Sequence, residues 1–286
     1  MEMLVRSASA TPRTTSPNVV VFDETYRGGR TPLTADQVAS SSDAVLRQTV
    51  DNASRVMTFL KERFNRDGLD GKGAKLAVVV HATEPSDGSK MNNAYWDGDA
   101  GRMFIGDGDG RVFSPLGGAI DVVAHETGHA ILESEVNLGF DGQEGALHES
   151  FGDVMGSLLD ADDWTIGEDV YTPSRPGDSL RDMAHPETYH HMDDLRREPT
   201  TEPHALADLP NLVATRVADA IGRDAMGTVW YDGFTTYLRD HGKFTDAAEA
   251  TITAAQHLYG RDSQQATAVS DAWKSVGILA RAPKAA

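Results

Sequence analysis

Between residues 119 and 134 the chain runs through Ile120, Val122, Val123, Ala124, Ala130, Ile131 and Leu132, an apolar helical pattern interrupted by His125, Glu126 and His129. No other stretch constrains the fold as much. A helix this apolar belongs in a core, and burying three ionisable groups there without partners is costly. Residues four apart share a helix face, so His125 and His129 present two imidazoles to one point, with Glu126 beside the same cavity. A metal ion shared by the imidazoles resolves the cost; the plain alternative is a His-Glu-x-x-His string arising by chance on a core helix.

A second helical stretch, 144–159, carries Glu149, twenty residues after His129, and Asp153 one turn further on. Both carboxylates fall on one face, close to Ala146, Phe151, Val154 and Leu158. Acids placed among apolar residues call for a cation against them. Glu149 is therefore the candidate third metal ligand, and Asp153 the acceptor that fixes an imidazole tautomer. The competing reading is an exposed acidic face.

The composition narrows the chemistry. Cysteine is absent, so thiol nucleophiles, disulfides and Cys-ligated zinc are excluded. Lys and Arg number 26 against 44 Asp and Glu, a formal charge of −18 that repels phosphates, so no nucleic acid partner is expected. No apolar run approaches the roughly 20 residues that span a bilayer, and no membrane association is expected. The start, MEMLVRSASATPRTTSP, lacks the apolar core of a secretory signal, which leaves the compartment open.

In a chain of 286 residues, 40% of them apolar, one large domain or two halves across a cleft can be built. Residues 1–17, rich in Ser, Thr, Pro and Arg, read as a disordered arm or equally as the remnant of a processed segment. Strands are expected over 18–22 and 76–80, an amphipathic helix over 44–64, and a tight hairpin within 97–111 around the short strand 102–105. After Asp160 comes a loop-rich stretch to Pro203, then four short helices with breaks near Gly222, Gly242 and Gly260. The fold class is α+β: an N-terminal lobe, 18–134, ending in the histidine helix, and a mainly helical lobe, 135–286, with a cleft between them.

The strings NNAYW at 92–96, GDGDG at 106–110, DVVAHETGH at 121–129, GALHESFGD at 145–153, IGEDVYTP at 166–173 and SLRDM at 179–183 occur in this order. In them the chain resembles the thermolysin family of metallopeptidases, from Val19 to Ile278. Thermolysin is itself the type example of a His₂Glu catalytic zinc site, so that ligand set is carried over rather than derived. The resemblance implies one catalytic Zn²⁺ on His125, His129 and Glu149, a fourth position for water, and Glu126 as general base. It implies His204 as a donor to the oxyanion. Asn93 and the Ala94 carbonyl would bind substrate main chain, and Arg181 a substrate carbonyl. Phe113, Leu116, Val122, Ile166 and Leu180 match an apolar specificity pocket, so cleavage before a bulky apolar residue of a peptide or protein is expected. Asp121, Asp160, Asp163 and Glu168 match the main calcium site, and Tyr171, Thr172 and Asp178 a separate one, which gives one or two structural Ca²⁺. A monomer is expected, and family members are usually secreted.

Two positions depart from the family pattern. Phe140 stands where a tyrosine hydroxyl would donate to the oxyanion, and Pro199 replaces the acid that pairs with the catalytic histidine, with Glu202 a substitute if the loop is rearranged. They motivate two other readings, a zinc-binding pseudoenzyme that binds peptides and a narrow-specificity maturation peptidase. His185, His190 and His191, in a polar loop, read as solvated.

Overall fold

The computed structural model describes residues 18–25 and 30–280; the arm expected over 1–17 lies outside them, as do residues 281–286. Strand β1 (Val19–Asp23) lies parallel to β2 (Leu76–Ala82), Val19 opposite Leu76, and the chain between them forms α1 (Ala35–Ser40) and α2 (Ala44–Phe64). β2 is parallel in turn to β4 (Arg102–Gly106), and β3 (Ala94–Asp97) lies antiparallel on the far side of β4. The sheet order is β1-β2-β4-β3, which leaves β3 with an open edge.

α2 forms as its sequence dictates. Asp43 caps it by accepting the Leu46 N–H, Asn65 ends it in the left-handed conformation, and Leu46, Val50, Ala53, Met57 and Leu60 form its buried stripe. The hairpin differs from expectation. Its first strand is upstream, at Ala94–Asp97, and residues 107–111 make a loop, because the Asp109 carboxylate takes the Arg111 and Val112 N–H groups that a strand would give to a ladder. In β2, His81 forms a bulge at φ 58°, held between Asp107 at 2.8 Å and Asp43 at 3.0 Å.

The buried α3 (Ile120–Glu135) packs on α4 (Gly142–Leu159). Glycine faces glycine where they meet: a Cβ on Gly128 would lie 2.9 Å from the Gly152 Cα, and one on Gly152 would lie 2.7 Å from the His125 ring. Two missing side chains therefore let the backbones approach, and that approach carries Glu149 to the histidines.

The stretch read as loop-rich holds a two-stranded ribbon, β5 (Thr165–Ile166) with β6 (Arg181–Asp182), and a short α5 (Met192–Arg197). Then come α6 (Pro203–Ile221), α7 (Arg223–Asp232) running into a π-helical turn at Gly233–Tyr237, α8 (Phe244–Tyr259) and α9 (Gln264–Ser275). Gly222 and Gly260 are the breaks expected; the third is spread over 238–243. Trp230, Trp273, Phe234 and Phe151 are fully buried and fill the helical core. The architecture is α+β, a sheet region followed by a helical half. Among the described residues no helix is long and apolar enough to cross a membrane.

Candidate active site

Among the described residues, one group of three or more His, Asp or Glu brings its ligand atoms within 4.8 Å of one another: His125, His129 and Glu149. Nε2 of His125 is 3.1 Å from Nε2 of His129 and 3.3 Å from Glu149 Oε2, and His129 Nε2 is 3.7 Å from Glu149 Oε1. Tetrahedral zinc at about 2.0–2.1 Å from each ligand sets them about 3.3 Å apart. Glu149 Oε2 is buried and lies 3.3 Å from both His125 and His204, yet no hydrogen bond reaches it. A buried acceptor facing two imidazole nitrogens is what a shared cation satisfies, so the donor set fits zinc.

Behind the triad, Asp153 is fully buried and takes four bonds: His125 Nδ1 at 2.8 Å, Arg181 Nε at 2.9 Å and Nη2 at 2.6 Å, and Asn211 Nδ2 at 2.8 Å. Burial opposes its ionisation, but Arg181 and His125 outweigh that and hold its carboxyl far below the usual range. For His125 burial is again opposed, by Asp153 and Glu149, and the ring is raised to about 10; His129 has no such carboxylate bond, and burial with the neighbouring His125 lowers it to about 3. Burial lifts Glu126 to about 7, although the Trp96 N–H donates to its Oε2 at 2.9 Å.

These groups open into a cavity of about 490 Å³. Its lining includes Phe113, Leu116, Val122, Ile166, Leu180 and Arg181. Asn93 and Ala94 line the side formed by the β3 edge, together with Tyr95 and Trp96, to which no role attaches from sequence. His204 lies at the mouth, in the first turn of α6, its Nδ1 2.7 Å from Glu202 Oε1. Glu202 is also the cap of that helix, which fixes it beside His204 although Pro199 occupies the expected position. Phe140 lines the cavity too, largely exposed, with its ring stacked on His148 at 4.6 Å.

The calcium candidates are gathered less tightly. Asp121 and Glu168 each keep a buried oxygen without a partner, and burial raises both, with repulsion from Asp160 adding to it at Asp121 and repulsion from Asp121 and Asp163 adding to it at Glu168. Asp160 is raised by burial and by Asp169 and Asp163. Yet among the described residues no three of these acids place oxygens within 4.8 Å of one another. The Arg223 guanidinium occupies part of this region, donating to the carbonyls of Ser157 at 2.9 Å and Asp163 at 2.6 Å over the Trp164 ring. In the second group the Thr172 hydroxyl donates to Asp178 at 2.6 Å and the Thr172 carbonyl accepts from Arg175, so the turn closes on itself, with Tyr171 against Phe113. The Nδ1 of His191 accepts the Asp193 N–H at the start of α5, and His185 lies exposed beside Asp182.

Asn211 and His148 are the members of the cluster to which sequence attaches no role. The seven-residue spacing of Asn211 from His204, two turns on one helix face, carries a signal; for His148 only adjacency to Glu149 does.

Comparison with known proteins follows the same lines. Residues 15–133 match the family model for the thermolysin metallopeptidase catalytic domain, and residues 136–278 that for its alpha-helical domain. Bacillolysin of Bacillus amyloliquefaciens is 36% identical over 278 residues, covering 92% of this chain, which spans 51% of that protein's length. Neutral protease NprE of Bacillus pumilus is 36% identical over the same length, with 92% and 89% covered. The solved precursor of protealysin, a metalloproteinase from Serratia proteamaculans, superposes with a TM-score of 0.80 at 28% identity over 96% of this chain and 91% of that one. With both halves matched in order along nearly the whole chain, this protein belongs to the thermolysin metallopeptidase family.

Proposed function

We propose that the chain is a zinc-dependent endopeptidase that cuts peptide bonds on the amino side of bulky apolar residues. The observation that carries this reading is the convergence of His125, His129 and Glu149 at the floor of a cavity that also holds buried Glu126. When bound there, zinc supplies a Lewis acid that polarises the scissile carbonyl and acidifies water toward a pKa of about 7.

The remaining work falls to the protein. Glu126 has its Oε2 held by the Trp96 N–H, which leaves Oε1 to take the proton of the attacking water and return it to the leaving amine. Glu202 accepts the Nδ1–H of His204, and the protonated ring then offers Nε2–H to the developing oxyanion. Phe140 has no hydroxyl to add a second donor, so His204 carries that side alone. Arg181 spends Nε and Nη2 on Asp153 and keeps Nη1 for a substrate carbonyl. The open edge of β3 suits an extended substrate, which would pair with Asn93 and the Ala94 carbonyl as an added strand.

Phe113, Leu116, Val122, Ile166 and Leu180 form the pocket for the residue after the cut. Calcium belongs to the same reading: the orphaned oxygens of Asp121 and Glu168, with Asp160 and Asp163 near, suit one ion, while Arg223 supplies a fixed cation beside them. Cleavage-site mapping on a peptide library tests the pocket. Leu, Phe, Ile or Val in P1′ is the expected preference; a preference for charged residues there would sink the assignment.

A further inference from the structure

His81 has no part in the roles above, yet its surroundings are costly. It is 9% exposed and takes a left-handed backbone, φ 58°, at the bulge of β2, which a side chain of this size keeps only when its neighbours hold it there. Its Nδ1 lies 2.8 Å from Asp107 Oδ1 and 3.0 Å from Oδ2, and its Nε2 lies 3.0 Å from Asp43 Oδ2. An ionised carboxylate only accepts, so a ring that faces one with each nitrogen must donate from both, and that ring is an imidazolium. The charged groups acting on it most strongly are acids: Asp43 at the start of α2, Asp107 just after β4 and Asp23 at the end of β1. Burial opposes the charge, but these carboxylates outweigh it and hold the ring above its ordinary 6.5.

The two bonded carboxylates join different parts of the chain. Asp43 caps α2, its other oxygen taking the Leu46 N–H at 3.1 Å. Asp107 opens the segment that brings Phe113 and Leu116 to the cavity. The far end of that segment returns to α2, where Asn52 Nδ2 donates to the carbonyls of Gly117 at 2.9 Å and Gly118 at 3.1 Å. Residues 107–118 are thus tied to α2 at both ends. Within the segment the Gly110 N–H donates to the Phe113 carbonyl at 2.8 Å, and Asp109, lowered to about 2 and so ionised throughout, takes the Arg111 and Val112 N–H groups. A shift at Asp107 is therefore passed on to Phe113. The other ties, from Gly108 to the Met91 carbonyl, Asp109 N–H to Asn92 and Thr172 N–H to the Val112 carbonyl, join neutral groups. The imidazole is the tie whose strength depends on pH.

We propose that His81, as an imidazolium shared by Asp43 and Asp107, is a positioning residue: it fixes the segment that places Phe113 and Leu116 in the pocket for the residue after the cut, and slackens it at alkaline pH. This rests on the reading of that pocket. The sign follows from the charge. A bond pair that needs the protonated ring is fully made below pH 6.5 and is lost as pH rises through the higher pKa of the folded chain. The neutral ring has one N–H for two carboxylates, so one of them then faces a lone pair. Selectivity for a bulky apolar residue falls, while Glu126 and His204 keep their places.

The test compares two peptides that differ only in P1′, Leu against Ala, as the ratio of their kcat/KM values, because ionisations that serve both substrates alike cancel. In wild type the ratio is expected to fall about 10-fold between about pH 6 and about pH 9.5, carried by KM for the Leu peptide rather than by kcat. His81→Asn, which tolerates the left-handed backbone and keeps a neutral donor, is expected to show the low ratio at every pH. A wild-type ratio that favours Leu but stays constant, or one that falls alike in wild type and H81N, overturns the inference. Should H81N fail to fold, nitrogen-15 NMR of the wild-type rings decides: two protonated nitrogens on His81 at about pH 6.5 support the proposal, and a singly protonated ring at that pH overturns it. A wild type that cuts both peptides equally at every pH overturns the pocket reading instead.

Discussion

Glu126 shows how far one side chain's surroundings change its chemistry. Burial in α3 disfavours its charged form and raises its pKa to about 7, from 4.5, while the Trp96 N–H and His125 pull the other way. A base of this kind acts only when ionised. A dication bound at His125 and His129 also favours the carboxylate, so the acid limb of kcat/KM is expected between pH 4.5 and about 7, activity rising with pH. A pH–rate profile flat across that range would contradict the assignment of Glu126 as base. The roles of Glu126, His125 and His129 are legible in sequence because three polar groups on an apolar helix demand a common explanation. The bond network of Asp153 is less so: that it accepts from Arg181 and Asn211 as well as His125 depends on contacts 28 and 58 residues apart, which no local pattern encodes.

At the scale of elements, the crossing of α3 on α4 sets the geometry of the centre. Gly152 is the tightest point, for a methyl there would stand 2.7 Å from His125 Nδ1 and 2.9 Å from Cε1. Alanine normally favours a helix over glycine by up to about 1 kcal/mol. Here overpacking, at about 1–3 kcal/mol, wins. Gly152→Ala is expected to lower the melting temperature and to lose zinc, because the His125 ring must leave the line from Asp153 to Glu149; unchanged zinc content would show that the crossing is not the constraint. α2 can be read from sequence to its ends and α4 to within two residues, since the Asp43 cap of α2 and the apolar stripes of both are local signals. β3 cannot. Its four residues pair with β4, and Ala94, Tyr95 and Trp96 alternate no differently from a loop until that partner is known.

For the molecule as a whole, the walls of the cleft are tied at the end of α2. Arg66, nearly buried, donates to the Leu69 carbonyl, to Ser134 and Glu135 at the end of α3, and to Tyr231 of α7, whose ring stacks on Phe64 at 3.9 Å. Such a tie joins the sheet region to the helical half, and it is invisible in sequence because its partners span residues 64 to 231. What the order of motifs does carry is the α+β architecture and the content of the cavity, because five of the six motifs supply residues to its lining. The central claim is that the His125, His129 and Glu149 cluster holds zinc for a reaction in which Glu126 moves the proton. The direct measurement pairs zinc content with casein cleavage for wild type and Glu126→Gln. The prediction is about one zinc in both proteins and cleavage about 10²–10⁴-fold slower in the variant. Absence of zinc from the wild type, or equal cleavage by the two proteins, would contradict it.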